Sequence, residues 1–113
     1  MEDCLFCKMA DGAIPVRKVY EDDTVLAFYD IDPQAPVHFL VIPKKHIASP
    51  ADISAEDGAL VGHIFEVIAS LSRELGLAKG YRVVTNCGKD GGQSVQHLHF
   101  HVLAGRSLAW PPG

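Results

Sequence analysis

The chain is predicted to be an α+β domain, a mostly antiparallel five-stranded sheet with one long helix and a short N-terminal helix. Three observations predict it. Five short segments rich in β-branched and aromatic residues follow one another with brief connections, which favours antiparallel neighbours. Only one stretch has the period of a substantial helix, with Leu60, Ile64, Val67, Ile68 and Leu71 recurring on one side. Near the C-terminus, His97-Leu98-His99-Phe100-His101-Val102-Leu103 alternates polar and apolar residues, the period of a strand with one face in a core. At 113 residues, one domain accounts for positions 1–113.

Taken in order, Cys4 to Asp11 is the expected short helix, with Leu5, Phe6 and Met9 on its apolar side and Gly12 ending it. Val16 to Glu21 and Thr24 to Asp30 read as paired strands that turn at Asp22-Asp23. Asp32-Pro33-Gln34-Ala35-Pro36 is a break, because its two prolines exclude regular structure. Val37 to Ile42 is the third strand, closed by Pro43, and Lys44 begins a loop that runs to Pro50. Ser54 with Asp57 three residues on resembles a capping box, with Asp in place of Glu or Gln. It opens a helix over residues 55–75 that Gly76 caps. Tyr81 to Cys87 and Val95 to Leu103 are the fourth and fifth strands. The tail from Gly105 to Gly113 ends Trp110-Pro111-Pro112-Gly113, and an exposed tryptophan there suggests docking, for instance on a second subunit.

Composition narrows the function classes. A net charge of −4 argues against a general nucleic-acid binder, whose affinity comes from a basic surface. No apolar run approaches the roughly 20 residues that span a bilayer, and no signal-peptide pattern opens the chain, so no membrane partner is expected. Three cysteines, two of them in Cys4-Leu5-Phe6-Cys7, make a poor disulfide framework and suggest a reducing, cytoplasmic setting.

The histidine row carries the chemistry. Imidazole is the side chain best suited to proton transfer and nucleophilic attack near neutral pH. Neighbours at i and i+2 lie roughly 6.6 Å apart along a strand, so His97 and His101 would be about 13 Å apart. Zinc–imidazole bonds are about 2.0 to 2.1 Å, so one ion cannot take all three. The row reads better as a nucleophile or base with flanking proton donors and orienters. Just ahead of it, Asn86-Cys87-Gly88-Lys89-Asp90-Gly91-Gly92-Gln93-Ser94 is rich in glycine. Such a loop lets backbone N–H groups approach an anion, and Gln93 and Ser94 add donors. Donors aimed at a phosphoryl group beside an in-line nucleophile are what nucleotidyl transfer needs.

Gln93-Ser94-Val95-Gln96-His97-Leu98-His99-Phe100-His101-Val102 resembles the signature of the histidine triad superfamily, in which three histidines alternate with apolar residues. Asp30-Ile31-Asp32-Pro33-Gln34-Ala35-Pro36-Val37-His38-Phe39, Ile42-Pro43-Lys44-Lys45-His46 and the Trp110-Pro111-Pro112-Gly113 terminus resemble its Hint branch of nucleotide-binding proteins. The likeness runs from about Cys4 to Gly113. It implies a purine nucleoside phosphoramidase that hydrolyses the P–N bond of AMP or GMP joined to an amine. On that resemblance His99 attacks the α-phosphorus, and water resolves the nucleotidyl-histidine. Covalent catalysis of this kind splits one difficult displacement into two easier ones.

The same resemblance makes His101 the phosphate-side imidazole and His97 and His38 its supporting histidines, with Ser94 near the leaving group. Asp30 would accept both ribose hydroxyls, and Leu5, Phe6, Phe28 and Ile31 would form the purine slot. Read by themselves, Phe28 and Ile31 are ordinary core residues. Asn86, Gly92, Gln93 and Ser94 match positions around the phosphate, where His99 and His101 also contact the nucleotide. Related transferases carry Gln at the position of His101, so its histidine favours hydrolysis. Some members complete a structural zinc site with a pair like Cys4 and Cys7, a histidine at the His46 position and the first triad histidine, His97. Two thiolates and two imidazoles suit tetrahedral zinc. If His97 is a ligand, it cannot also shuttle protons. No organic cofactor is implied. A symmetric homodimer is, with the long helix and the fourth strand near the twofold axis.

Three other readings remain at this point. A zinc-dependent hydrolase could use the same histidines to activate water, although no Glu stands beside the histidine row. A non-catalytic purine nucleotide sensor could bind AMP without turnover, and a dinucleoside polyphosphate hydrolase would use the same nucleophile.

Overall fold

A computed structural model describes residues 3–113. Its strands are β1 (Lys18–Glu21), β2 (Val25–Tyr29), β3 (Val37–Pro43), β4 (Tyr81–Val84) and β5 (Phe100–Ala104). Helix α1 spans Leu5–Ala10 and helix α2 spans Gly58–Glu74. The strands form one sheet of order β1-β2-β3-β5-β4, antiparallel at every neighbouring pair. The expected α+β class is therefore observed, with "mostly" antiparallel becoming wholly so. Because α2 connects β3 to β4, β5 can insert between them and lie at the functional heart of the sheet.

The two faces of the sheet are covered unequally. On one face α2 places Ile64, Val67, Ile68 and Leu71 against Val25, Ala27, Phe39, Val41, Leu98, Phe100 and Val102. Burying each large aliphatic side chain contributes roughly 1.5 to 3 kcal/mol, so this layer supplies most of the folding drive. On the other face Phe6 of α1 meets Leu26, Phe28, Leu40 and Ile42. A helix of six residues cannot cover a five-stranded sheet. The uncovered part of that face becomes a cleft.

Local chemistry explains the element ends. Asp22 closes the β1–β2 turn by accepting the N–H groups of Thr24 and Val25 at 2.9 Å each. The Ser54–Asp57 box exists, with the Ser54 N–H bonded to the Asp57 carboxylate at 3.0 Å. It opens a 3-10 turn over Ala55–Asp57, and the α-helix starts three residues later than expected. Gly76 ends α2 at φ +71°, a conformation that suits glycine.

The largest departure concerns the last strand, expected over Val95 to Leu103. Regular pairing begins only at Phe100, which lies opposite Val41. Two residues further along β3 the segment comes opposite Pro43, which has no N–H to give, and the chain turns aside to bond the Leu98 N–H to the Ile47 carbonyl at 2.6 Å. β4 likewise stops at Val84 rather than Cys87, and the Thr85 hydroxyl replaces the ladder by donating to the His99 carbonyl at 3.0 Å. Inside the glycine-rich segment, Gly88–Gly91 forms a single helical turn rather than open loop. Among the described residues no helix is long and apolar enough to cross a membrane.

Candidate active site and metal-ligating cluster

The cleft on the thinly covered face has a volume of about 840 Å³. Leu5 and Phe6 come from α1, Phe28 from β2, Asp30 and Ile31 from the segment after it, and Ser94, His99 and His101 from the far side. Eight of the residues expected around a nucleotide are thus brought to one cavity. Ile31 is fully exposed at its rim, so its reading as a core residue fails in this free chain. Asn86 and Gly92 lie outside the cavity lining, although Gly92 adopts the left-handed φ of +80° that shapes the loop beside it.

Gln93 departs from its expected role as a donor at the anion. Its amide nitrogen donates to the carbonyls of Ala48 at 2.7 Å and Val95 at 2.9 Å, and its oxygen accepts the Gly88 N–H at 3.0 Å. Both amide protons are consumed in tying the loop to the body. The Ser94 hydroxyl is left as the side-chain donor of this segment within the cleft.

Hydrogen-bond partners decide where the ring protons lie. The nearly buried His99 places Nδ1 at 2.7 Å from the His97 carbonyl. A carbonyl only accepts, so Nδ1 carries the proton and Nε2 keeps its lone pair. Burial, chiefly, lowers the His99 pKa below its ordinary value of 6.5. The ring is therefore neutral and nucleophilic at pH 7. Phe6 packs edge-on against it with centroids 5.0 Å apart and limits its rotation.

A relay stands beside it. The Gln34 N–H donates to His38 Nδ1 at 3.0 Å, so the neutral His38 ring carries its proton on Nε2. That proton is donated to His101 Nδ1 at 2.9 Å. His101 must then hold its own proton on Nε2, a donor for an oxygen in the cleft. Burial first, then the neighbouring His99 and His38, push the His101 pKa down to about 4. Asp30 stands 3.4 Å from His38 Nε2, and its other oxygen accepts the Asp32 N–H at 2.8 Å.

His97 plays another part. Its fully buried ring donates from Nε2 to the Pro43 carbonyl at 2.8 Å, which leaves Nδ1 bare. That nitrogen faces Cys4 Sγ at 3.3 Å, Cys7 Sγ at 3.5 Å and His46 Nδ1 at 3.2 Å, and Cys7 Sγ lies 3.3 Å from His46 Nδ1. The His97 ring does not line the cleft. Both ring nitrogens are committed elsewhere, and only the His97 carbonyl acts on the nucleophile. The four ligand atoms lie within 4.8 Å of one another and could hold a metal ion. Acceptors crowd the centre of this cluster, and burial first, then Cys4, raise the Cys7 thiol to about 11. A cation would reverse that preference by stabilising the thiolate.

Sequence reasoning missed Arg17, Tyr29 and Met9, which also line the cleft. Arg17 belongs to no motif. Only the pairing of its carbonyl with the Tyr29 N–H at 2.9 Å brings it there.

Residues 11–108 match the family described as HIT domain. An uncharacterized HIT-like protein from Synechococcus elongatus is 54% identical over 112 residues, covering 99% of this chain and 98% of the relative. The crystal structure of a HIT family hydrolase from Legionella pneumophila superposes with a TM-score of 0.97 at 50% identity, over 98% of this chain and 100% of that one. A histidine triad protein from Clostridium difficile gives a TM-score of 0.94 at 54% identity, covering 96% of each chain. A histidine triad nucleotide-binding protein from Candida albicans gives 0.82 at 34% identity, over 96% of this chain and 83% of that one.

Proposed function

The chain belongs to the HIT domain family, and from that premise we propose that it is a purine nucleoside phosphoramidase working through a nucleotidyl-His99 intermediate. The observation that carries the reading is the bond from His99 Nδ1 to the His97 carbonyl, which aims a neutral Nε2 lone pair into the cleft. In the first step Nε2 forms a bond to the α-phosphorus as the P–N bond breaks, and the electron pair leaves on the amine. A proton supplied through the Ser94 hydroxyl completes the amine. The His101 Nε2–H holds a phosphoryl oxygen as charge develops, a donor held in place by His38. Water then attacks phosphorus, giving one proton back through the Ser94 hydroxyl to replace the one the amine took, the N–P bond breaks, and the electron pair returns to His99 while the monophosphate departs.

Leu5, Phe6, Phe28 and Ile31 take the purine in this reading, and Asp30 takes the ribose hydroxyls. Asn86 and Gly92 support the phosphate segment from behind, and Gln93 holds it in shape. Cys4, Cys7, His46 and His97 hold a structural zinc ion. A tetrahedron of two sulfurs and two nitrogens around zinc has edges of about 3.3 to 3.7 Å, close to the separations within this cluster. Zinc supplies charge that keeps the thiolates ionised and pins α1, and it takes no part in the displacement.

A panel of AMP-amine, GMP-amine and dinucleoside polyphosphate substrates tests the function, with mass spectrometry of quenched protein for a nucleotide on His99. Release of amine with a labelled His99 peptide is expected. Binding without turnover favours a sensor, and cleavage of the polyphosphate alone favours that hydrolase. The proposal includes a homodimer through α2 and β4, where Phe65 and Tyr81 are exposed, with Trp110 exposed on a tail that Arg82 ties to the β4 edge. Sedimentation at micromolar concentration is expected to exceed the 12.2 kDa monomer.

A further inference from the structure

The segment between β2 and β3 sets the state of the histidine relay, and little of its own backbone holds it. Asp32-Pro33-Gln34-Ala35-Pro36 contains two residues without an N–H. Among the described residues no backbone–backbone hydrogen bond reaches it. Side chains make its ties instead. Asp30 accepts the Asp32 N–H at 2.8 Å, and the Gln34 amide donates to the Asp32 carbonyl at 3.0 Å. The Gln34 N–H donates to His38 Nδ1 at 3.0 Å.

The remaining tie comes from the far end of the chain. The register that pairs Val37 with Ala104 brings the turn after β5 alongside this segment. Gly105 stands at φ +92°, and a Cβ added there would lie 2.8 Å from Pro36 Cβ, so glycine permits the close approach. From the next residue, the Arg106 guanidinium donates to the Gln34 carbonyl from Nε at 3.3 Å and from Nη2 at 3.0 Å. Its Nη1 donates to the Ser107 carbonyl at 3.2 Å, which fixes the planar fork from its other side. Neither Gln34 nor Arg106 lines the cleft. Any influence of this clamp on the chemistry passes through His38.

What passes is the position of one proton. A neutral imidazole carries a single N–H, and the bond from Gln34 obliges His38 to carry it on Nε2. His38 then donates to His101 Nδ1, and His101 presents its own N–H to the cleft. Once the Gln34 N–H swings away, the His38 proton can move to Nδ1 and leave Nε2 bare. His101 then takes its proton on Nδ1 to keep the shared bond, and turns a lone pair towards the phosphoryl oxygen. A donor becomes an acceptor where negative charge develops. The Asp30 carboxylate, 3.4 Å from His38 Nε2, favours the first arrangement in the free chain. Ribose hydroxyls compete for that carboxylate once a nucleotide binds.

Resting on the phosphoramidase reading above, we infer that Arg106 is a positioning residue, which clamps Gln34 so that His38 and His101 keep the tautomers that aim an N–H into the cleft.

Long-range proton–nitrogen spectra of protein carrying 15N-histidine, taken at about pH 8, read the tautomers in the parent, Arg106→Met and Arg106→Lys. In the parent both His38 and His101 are expected to be protonated on Nε2. In Arg106→Met the two nitrogen shifts of each ring should converge, as about half of the population takes its proton on Nδ1. There kcat on AMP-amine should fall about two- to threefold with KM nearly unchanged. Arg106→Lys, which offers the Gln34 carbonyl one ammonium, should lie between the two in both readouts. Parent spectra with the His38 proton on Nδ1 overturn the inference. So do unchanged shifts in Arg106→Met, whether or not kcat falls, since a loss without a tautomer change is structural. A parent that cleaves no phosphoramidate overturns the proposed function, and the spectra still decide whether Arg106 sets the tautomers.

Discussion

Two groups of imidazoles share one short segment of this chain and do opposite work. At His97 the ring gives its only proton to the Pro43 carbonyl, and its bare nitrogen converges with Cys4, Cys7 and His46 on a common point. Two residues later the His99 ring gives its proton to the His97 carbonyl, and its bare nitrogen opens into a cleft. Both rings are neutral and buried, and both use a backbone carbonyl to fix the tautomer. The nitrogens differ, Nε2 in one and Nδ1 in the other. The comparison teaches that in a row of identical side chains the backbone acceptor, rather than the residue type, separates a ligand from a nucleophile.

Breaking the catalytic member gives the largest effect. His99→Ala is expected to abolish turnover of AMP-amine, a loss of at least about a thousandfold in kcat, because among the described residues no other bare ring nitrogen faces the cleft. Nucleotide affinity should stay within about tenfold, roughly 1.4 kcal/mol. Metal content should be unchanged, since the His99 side chain lies outside the cysteine cluster. Parent-like steady-state rates in the variant would remove His99 from its role.

Breaking the other member should act through α1. A six-residue helix is too short to hold its own structure, and the packing of Phe6 with the anchorage of Cys4 and Cys7 keeps it on the sheet. The same helix supplies Leu5 and Phe6 to the cleft. Cys7→Ser is therefore expected to remove about one zinc per chain, lower the melting temperature and weaken AMP binding by about tenfold, roughly 1.4 kcal/mol. The rate at saturating substrate should fall much less, because the Pro43 and Ile47 carbonyls still hold the residues around His97. Metal analysis, melting curves and AMP titration read the three effects separately. A variant that loses kcat rather than affinity would place the cluster in the chemistry and collapse the distinction between the two groups.

Much of this contrast was legible in the residues. Alternation around Leu98, Phe100 and Val102 identified the core face, and the glycine-rich approach marked the side where an anion would sit. The end of the strand was not legible, because it depends on Pro43 standing opposite the segment, a register that only the folded sheet defines. Gln93 was legible as a donor but not as one already satisfied, since Ala48 lies 45 residues away. Arg17 was invisible for the same reason. Long-range pairing, unlike period or capping, leaves no mark on the local sequence.

A third histidine sharpens the comparison at the smallest scale, because its partner is a carboxylate rather than a carbonyl. His63 Nε2 on α2 meets Asp22 at 2.6 Å, and Asp22 also accepts the Tyr20 hydroxyl at 2.8 Å. The Asp22 hydrogen bond raises the His63 pKa above 6.5, with burial working against it and Glu66 assisting. On Asp22 burial acts upward, but hydrogen bonds from His63, the Thr24 backbone and Tyr20 outweigh it and hold the carboxyl below its ordinary 3.8. A raised histidine stabilises the fold fully below 6.5 and loses that contribution as pH rises through its folded value. A lowered carboxyl stabilises above 3.8 and loses its contribution as pH falls. The pair is thus worth most between those limits. With the His63 side chain 38% exposed, solvent screening keeps its worth under about 1 kcal/mol. His63→Gln should lower the melting temperature slightly at pH 6, and the gap from the parent should narrow as pH rises towards 9. A gap that widens over that range would show that His63 is neutral in the fold, as His97 and His99 are, and that a carboxylate partner does not set it apart from them.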